Sequence, residues 1–153
     1  MELVILVAIL IMLNTKKMGT YRKQLAEAKS RAVKEFGKDK ASWVMAQILY
    51  ETGAKQSPLA KLNNLTGIIF VGQKGAKDSG ILLPENKAYT YAKYNSVSDW
   101  FFDYIRIVNK SVKNSNSLYD YASNLKKQGY YTAPLEDYRK ALIYFNNNLN
   151  KYV

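Results

Sequence analysis

Glu51 is the acidic residue whose type and spacing best suit acid–base chemistry. On a helix it shares a face with Val44, Gln47 and Ile48 through i, i+3, i+4 and i+7 spacing. A carboxyl group beside apolar neighbours resists ionisation, so its pKa rises. Such a Glu can protonate the leaving oxygen of a glycosidic bond. The alternative is a surface Glu near a helix C-terminus, where the macrodipole makes an acid mildly unfavourable.

Two missing residue types narrow the chemistry further. The chain of 153 residues contains no Cys and no His. This excludes disulfides, thiol nucleophiles, Ser-His-Asp and Cys-His catalysis, and zinc sites built on Cys or His pairs. An enzyme of this sequence must therefore use Asp, Glu, Lys or Tyr, and it has only twelve carboxylates to choose from. We expect no metal and no cofactor.

Length and charge describe one ordinary globular domain with a basic surface. The length predicts a single domain with a substantial core. The net charge of +11 suggests an acidic partner, such as a nucleic acid, an anionic membrane or a wall polymer, or it serves solubility alone. We expect no nucleic-acid partner, because no binding motif is present and the basic residues are spread along the chain.

The first thirteen residues, MELVILVAILIML, are almost wholly apolar and precede Lys16 and Lys17. The run is short for a bilayer span, which needs about 20 residues. It lacks the positive start and small-residue cleavage site of a signal peptide. We predict that residues 1–18 form a hydrophobic membrane anchor, with a signal peptide or a helix buried in an assembly as alternatives. Residues 19–153 then form the globular domain, which the positive-inside rule places on the cytoplasmic side.

The segments around Glu51 are predicted from local signals. Strong helix formers ending at Gly37 predict a helix over 21–36, and a second helix should run from residue 39 or 40 to Glu51. Ser57-Pro58 should open a short third helix. Over residues 65–94, β-branched and aromatic runs separated by Gly predict a β hairpin or an irregular lobe.

The C-terminal half is predicted to be helical. Ser96 with Asp99, and Ser117 with Asp120, are spaced as capping pairs that begin two helices. Pro134 should open the last helix, through about residue 149. The fold class is therefore α+β: a predominantly helical domain with a small β lobe after the Glu51 helix, preceded by the N-terminal hydrophobic helix.

The segment QILYETGAKQSPLAKLNNLTGI (47–68) resembles the signature of a known enzyme family. This is the glucosaminidase family of peptidoglycan hydrolases, glycoside hydrolase family 73, in the lysozyme-like superfamily. Its pattern is an apolar helix ending in Glu-Ser-Gly, then Ser-x-Leu-Ala and Asn-Asn-Leu-x-Gly-Ile. Here these motifs are Glu51-Thr52-Gly53, Ser57-Pro58-Leu59-Ala60 and residues 63–68.

Two further segments extend the resemblance to roughly residues 22–145. YAKYNSVSDWFFDYIRIV (91–108) is similar to the family's aromatic segment that leads into a helix, and LKKQGYYTAPLEDYRKAL (125–142) to its Gly-Tyr-x-Thr-x-Pro segment. Residues 54–56, Ala-Lys-Gln, depart from the family, which often has an aromatic residue and a second Gly there.

The resemblance implies a lysozyme-like fold with Glu51 as general acid. Glycosidases usually use a second carboxylate. Glu85 in the β lobe is the leading candidate and Asp78 the alternative. A third possibility is that no second acid acts and the substrate's N-acetyl group assists instead. Tyr130 matches the family's cleft Tyr best, with Tyr131 a close rival.

The remaining candidates would bind substrate or brace the cleft. Asn63 and Asn64 are expected to brace the loop through their amides. The candidate substrate-binding residues are Asn64, Tyr94 and Tyr131, of which Tyr94 resembles the family's cleft aromatic.

Three functions remain open. The resemblance favours a hydrolase of β-1,4 bonds in peptidoglycan, either an N-acetylglucosaminidase or a muramidase. A lytic transglycosylase with one catalytic Glu is a close variant, and a non-catalytic membrane-anchored structural protein with a lysozyme-like fold is the alternative of another class. The small size and lack of wall-binding repeats suggest a phage or mobile-element enzyme. The expected location is therefore membrane-anchored, in a cell envelope or a phage virion, with peptidoglycan and a membrane as partners.

Overall fold

The computed structural model describes residues 2–54 and 57–153, with side chains described from residue 19 onward. Within these residues the chain is predominantly helical, with one small sheet, as the sequence predicts. The helices are α1 (Glu2–Phe36), α2 (Lys38–Thr52), α3 (Val97–Lys113), α4 (Leu118–Lys127) and α5 (Leu135–Asn147); the strands are β1 (Ala76–Leu82) and β2 (Thr90–Tyr94); short 3-10 turns span Pro58–Leu62 and Leu149–Lys151.

Local capping groups begin and end these helices as predicted. Gly37 separates α1 from α2 with a φ of 79°, which favours glycine. The hydroxyl oxygens of Ser96 and Ser117 accept the backbone N–H of Asp99 and Asp120, respectively, at 3.1 and 3.0 Å. Both capping pairs are therefore confirmed. The last helix ends at Asn147 rather than near residue 149.

Helix α2 lies at the centre of the domain and packs against α1, α4 and α5. Its buried residues include every position from Val44 to Leu49. On α3, Trp100 and Tyr104 are fully buried, with ring centroids 5.2 Å apart and nearly parallel planes. Burying side chains of this size stabilises a fold by roughly 1.5–3 kcal/mol each. The packing therefore holds α2, and with it Glu51, in a fixed position.

The β lobe is a single antiparallel hairpin. Ala76 pairs with Tyr94 and Leu82 with Thr90, with a register irregularity between Asp78 and Leu82. Most of β1 is exposed, whereas β2 is anchored on the helical core through Ala92 and Tyr94. The hairpin prediction for residues 65–94 is thus confirmed, and its strands occupy only the second part of that segment.

The N-terminal helix differs from the expectation of a separate hydrophobic element. Helix α1 runs without interruption from Glu2 to Phe36, so the apolar run and the first helix of the domain form one element. Among the described residues, no helix is both long and apolar enough to cross a bilayer. The side chains of residues 1–18 lie outside those described, and the membrane anchor stays a prediction.

Candidate active site

Glu51 lies in the last turn of α2, where the chain turns sharply out of the helix. Gly53 caps the helix in the left-handed conformation, with a φ of 60°, and Ala54 follows with a φ of 53°. This stop places the Glu51 carboxyl at a cleft of about 380 Å³. The other described residues that line the cleft are Thr66, Gly67, Ile68, Ile69, Val71, Arg106, Ile107 and Tyr130.

The environment of Glu51 raises the pKa of its carboxyl, although the residue is exposed at the cleft. Its carboxyl reaches the cleft on one side and is surrounded by protein on the other. Burial on that side raises the pKa of Glu51, while a hydrogen bond from Tyr138 lowers it by a smaller amount. The Tyr138 hydroxyl donates this bond to Oε1 at 3.3 Å. The direction of the shift agrees with the sequence analysis, although the adjoining groups include tyrosines as well as the expected aliphatic side chains.

Tyr138 is a neighbour of Glu51 that the sequence analysis did not single out. Its ring stacks on Tyr131, with centroids 3.6 Å apart and planes 7° apart, and Tyr50 meets it edge-on at 5.1 Å. The available signal was helical spacing, because Tyr138 and Leu142 are four residues apart and both face the core from α5. Nothing in the sequence indicated that this face meets Glu51, 87 residues away.

A buried polar group lies one helical turn before Glu51. Gln47 is fully buried, and its Oε1 accepts hydrogen bonds from the hydroxyls of Tyr104, at 2.6 Å, and Tyr121. Burial raises the pKa of both phenols, so both remain protonated donors. This network fixes the rotation of α2 against α3 and α4, and hence the direction in which Glu51 points.

Tyr130 and Glu51 line the same cleft, as the sequence analysis expected. The pKa of Tyr130 is raised, first by burial and then by the negative charge of Glu51. Its phenol therefore stays protonated and can donate a hydrogen bond. Gly129 positions it, because a φ of 78° after the end of α4 turns the chain back toward α2. A catalytic role for Tyr130 stays a prediction.

Asn64 is fully buried and braces the loop that carries the cleft residues. Its Nδ2 donates to the carbonyl oxygens of Ile68 (2.8 Å) and Ala92 (2.9 Å), and its Oδ1 accepts from Ile68 N (2.8 Å). Asn63 donates to Tyr94 O at 3.0 Å. Both side chains therefore join the loop to β2, as expected. Because the Asn64 amide is turned inward, this placement does not support contact with substrate.

The two tyrosines predicted to bind substrate also make internal contacts. Tyr94 is 2% exposed, and its hydroxyl donates to Asp103 Oδ2 at 2.6 Å. Tyr131 donates to Ala122 O at 2.9 Å, and its ring contacts Tyr138 and Lys126. Tyr94 thus offers no ring face to a sugar, and Tyr131 supports Tyr138 rather than lining the cleft.

Neither candidate for the second carboxylate is among the residues that line the cleft. Glu85 lies in the exposed loop between β1 and β2 and makes no hydrogen bond or ion pair with any described residue. Asp78 is exposed, and hydrogen bonds from Gly80 and Thr90 lower its pKa. Asp78 is therefore an ionised residue on the exposed strand β1. Within the described parts of the chain, no cluster of acidic side chains could hold a metal ion.

Comparisons with known proteins bear on the fold and the family of this chain. The glycoside hydrolase domain of Salmonella typhimurium FlgJ superposes with a TM-score of 0.60, at 19% sequence identity, over 88% of this chain and 89% of that domain. At this identity the likeness shows the fold alone, a mostly helical α+β domain with a small two-stranded sheet. No curated protein sequence matches the chain. The glucosaminidase family profile, described as mannosyl-glycoprotein endo-beta-N-acetylglucosaminidase, matches residues 26–151. The chain therefore belongs to the glucosaminidase family of glycoside hydrolases.

Proposed function

We propose that the protein cleaves β-1,4 glycosidic bonds in the glycan strand of peptidoglycan, with Glu51 as general acid. The observation that carries this proposal is the Glu51 carboxyl at the cleft, with a raised pKa and a hydrogen bond from Tyr138. A raised pKa keeps more of the carboxyl protonated near neutral pH, which is the form that donates a proton to a leaving oxygen. The net charge of +11 suits an anionic wall substrate.

The residues around Glu51 supply the other functions that the reaction needs. Tyr138 orients the carboxyl, and Tyr130 offers a protonated phenol to the substrate. Glu85 lies outside the cleft, so it can act only if the hairpin closes over a bound strand. Without such closure, the N-acetyl group of the substrate supplies the nucleophile. An N-acetylglucosaminidase and a muramidase would use Glu51 in the same way.

Lysis of purified peptidoglycan by Glu51→Gln tests the assignment. We expect a loss of at least about 10²-fold, because a general acid typically contributes 10² to 10⁴. Glu27→Gln is the matched control, since Glu27 is exposed on α1 in an i,i+4 ion pair with Arg31. Near-normal lysis by well-folded Glu51→Gln would refute Glu51 as the general acid, whereas absence of lysis by the unchanged protein would favour the non-catalytic structural alternative.

Glu85→Gln and product analysis distinguish the variants of this mechanism. A reduction of kcat by less than about threefold, small beside the 10²-fold of a catalytic acid or base, would remove Glu85 and leave the acetamido route. Mass spectrometry of the products separates hydrolysis, which adds water across the bond, from lytic transglycosylation, which leaves an anhydro sugar.

We further propose that residues 1–18 attach the enzyme to a membrane of the cell envelope or a phage virion. The support is the apolar sequence of residues 1–13, followed by Lys16 and Lys17. The described core positions of α1 begin only at Tyr21. A chain lacking residues 1–18 should therefore stay folded and lytic but no longer float with lipid vesicles. Loss of folding, or unchanged flotation, would contradict the anchor.

A further inference from the structure

The cleft contains a cation that the proposed hydrolysis does not use. Of the nine described residues that line it, only Glu51 and Arg106 carry charge. Arg106 lies on α3, and its side chain is 62% exposed. Its Nε and Nη2 donate to Asp103 Oδ1 at 3.0 and 2.7 Å. One edge of the guanidinium is therefore held by the protein while the group stays open to the cleft.

Asp103 is itself held in place by hydrogen bonds from the base of the β lobe. Its side chain is only 5% exposed, and its other oxygen, Oδ2, accepts from the Tyr94 hydroxyl at 2.6 Å and from Gln73 Nε2 at 3.1 Å. Exposed ion pairs ordinarily contribute little stability and leave the long side chain mobile. Here the carboxylate is immobilised by the base of the β lobe, so the ion pair chiefly fixes the direction of the Arg106 guanidinium.

The unused donors of Arg106 suit an anion. A guanidinium carries five N–H groups, and Asp103 takes one from each of two nitrogens. The rest meet no acceptor among the described residues. A planar pair of N–H groups fits a carboxylate in two-point geometry. Ile69, Val71 and Ile107 line the cleft with apolar side chains, which provide no competing acceptor.

We propose that Arg106 is a carboxylate-binding subsite for the acidic substituent of the substrate glycan. This inference rests on the proposed function. The sugar backbone of peptidoglycan is neutral, and its negative charge lies on the carboxylates of the peptides carried by alternate sugars, or on the lactyl group of such a sugar when it carries no peptide. A β-1,4 polymer of N-acetylglucosamine has the same linkage without these carboxylates. Arg106 thus allows the cleft to select the acidic polymer over the neutral one.

Binding measured in the Glu51→Gln background tests the subsite without turnover. The ligands are soluble peptidoglycan fragments with intact peptides, the same fragments with carboxylates converted to methylamides, and N-acetylglucosamine oligomers of equal length. Arg106→Gln is compared with Lys110→Gln, which removes the same charge one helical turn away, outside the cleft. Glutamine can retain a hydrogen bond to Asp103, and Arg106→Lys serves as a second variant that keeps the charge.

Arg106→Gln should weaken binding of the intact fragments by about tenfold, the scale of a charge-assisted hydrogen-bond pair, and change binding of the two neutral ligands by less than about twofold. Arg106→Lys should give an intermediate loss, and Lys110→Gln should behave like the parent. Removal of the peptide turns the amide-linked lactyl carboxyl into a free carboxylate, so stripped fragments test which carboxylate the subsite accepts: dependence on Arg106 that persists shows that it accepts the lactyl carboxylate, and dependence that disappears assigns the peptide carboxylates.

An equal loss for acidic and neutral ligands, or no loss, would overturn the subsite while leaving the proposed hydrolase intact. Failure of every glycan to bind would overturn both proposals. Lysis retained by Glu51→Gln overturns the role of Glu51 as general acid alone, and the same ligand comparison is then made through KM of the lytic protein with and without Arg106→Gln.

Discussion

Asn64→Ala is expected to destabilise the fold without weakening substrate binding by the folded protein. The Asn64 amide makes three hydrogen bonds of 2.8 to 2.9 Å to backbone groups of Ile68 and Ala92. Alanine makes none of them. The substitution would leave the buried carbonyl groups of Ile68 and Ala92, and the N–H of Ile68, without the Asn64 amide as a partner. The residues that follow Asn64 in its loop line the cleft.

The size of the effect follows from those three bonds. A buried hydrogen bond contributes about 0.5–1.5 kcal/mol net, so losing three should lower the free energy of unfolding by about 3 kcal/mol. For a chain of this size, each kcal/mol lowers Tm by about 2–4 °C, which predicts a decrease of about 6–12 °C. The control is Asn95→Ala, because Asn95 is exposed and a surface change of this kind usually stays within about 0.5 kcal/mol.

Urea and thermal unfolding followed by tryptophan fluorescence measure this difference. Trp100 is a suitable reporter, because its Nε1 donates to Thr66 Oγ1, at 3.2 Å, two residues after Asn64. Steady-state kinetics on peptidoglycan, at a temperature where the variant remains folded, gives KM. A loss below about 1 kcal/mol, the scale of one hydrogen bond rather than of three, together with a raised KM would refute the bracing role and establish Asn64 as a substrate-binding residue.

Three further substitutions test Glu51 and its surroundings. Tyr138→Phe removes the hydrogen bond that lowers the Glu51 pKa. The high-pH limb of the kcat/KM profile should therefore move to higher pH, while the activity of the variant decreases. A move of this limb to lower pH would contradict the assignment. The folded state raises the pKa of Glu51, so its contribution to stability is present below the ordinary value of 4.5 and is lost as pH rises through the folded-state value. Glu51→Gln should therefore raise Tm at pH 7 and not below pH 4.5, and an unchanged Tm at pH 7 would count against a desolvated carboxyl. Gly53→Ala should destabilise the fold by about 1 kcal/mol in urea unfolding, because alanine is strained at a φ of 60°. Gly19→Ala should instead stabilise the fold by about 0.5–1 kcal/mol, because Gly19 lies in α1 with open space at its Cβ. Effects of the same sign in the two variants would contradict this reasoning.

The sequence by itself determined the features that depend on neighbouring residues. A serine hydroxyl reaches the N–H three residues later, so the caps at Ser96 and Ser117 could be predicted without knowing the fold. The stop at Gly53 needs only a left-handed residue after a helix. The absence of His and Cys limited the acid–base groups by composition alone. Together with the apolar face of α2, these features led to Glu51.

Tertiary packing alone decided what surrounds that carboxyl. Helical spacing placed Tyr138 on a buried face, but only the packing of α5 against α2 brings it to Glu51. The aromatic character of Tyr94 suits a sugar platform and a core position equally. The inward position of Tyr94 follows from the packing of β2 against α3, where Asp103 accepts a hydrogen bond from the Tyr94 hydroxyl. These contacts depend on how separate elements pack, and a hydrophobic pattern specifies which face is buried without specifying what that face meets.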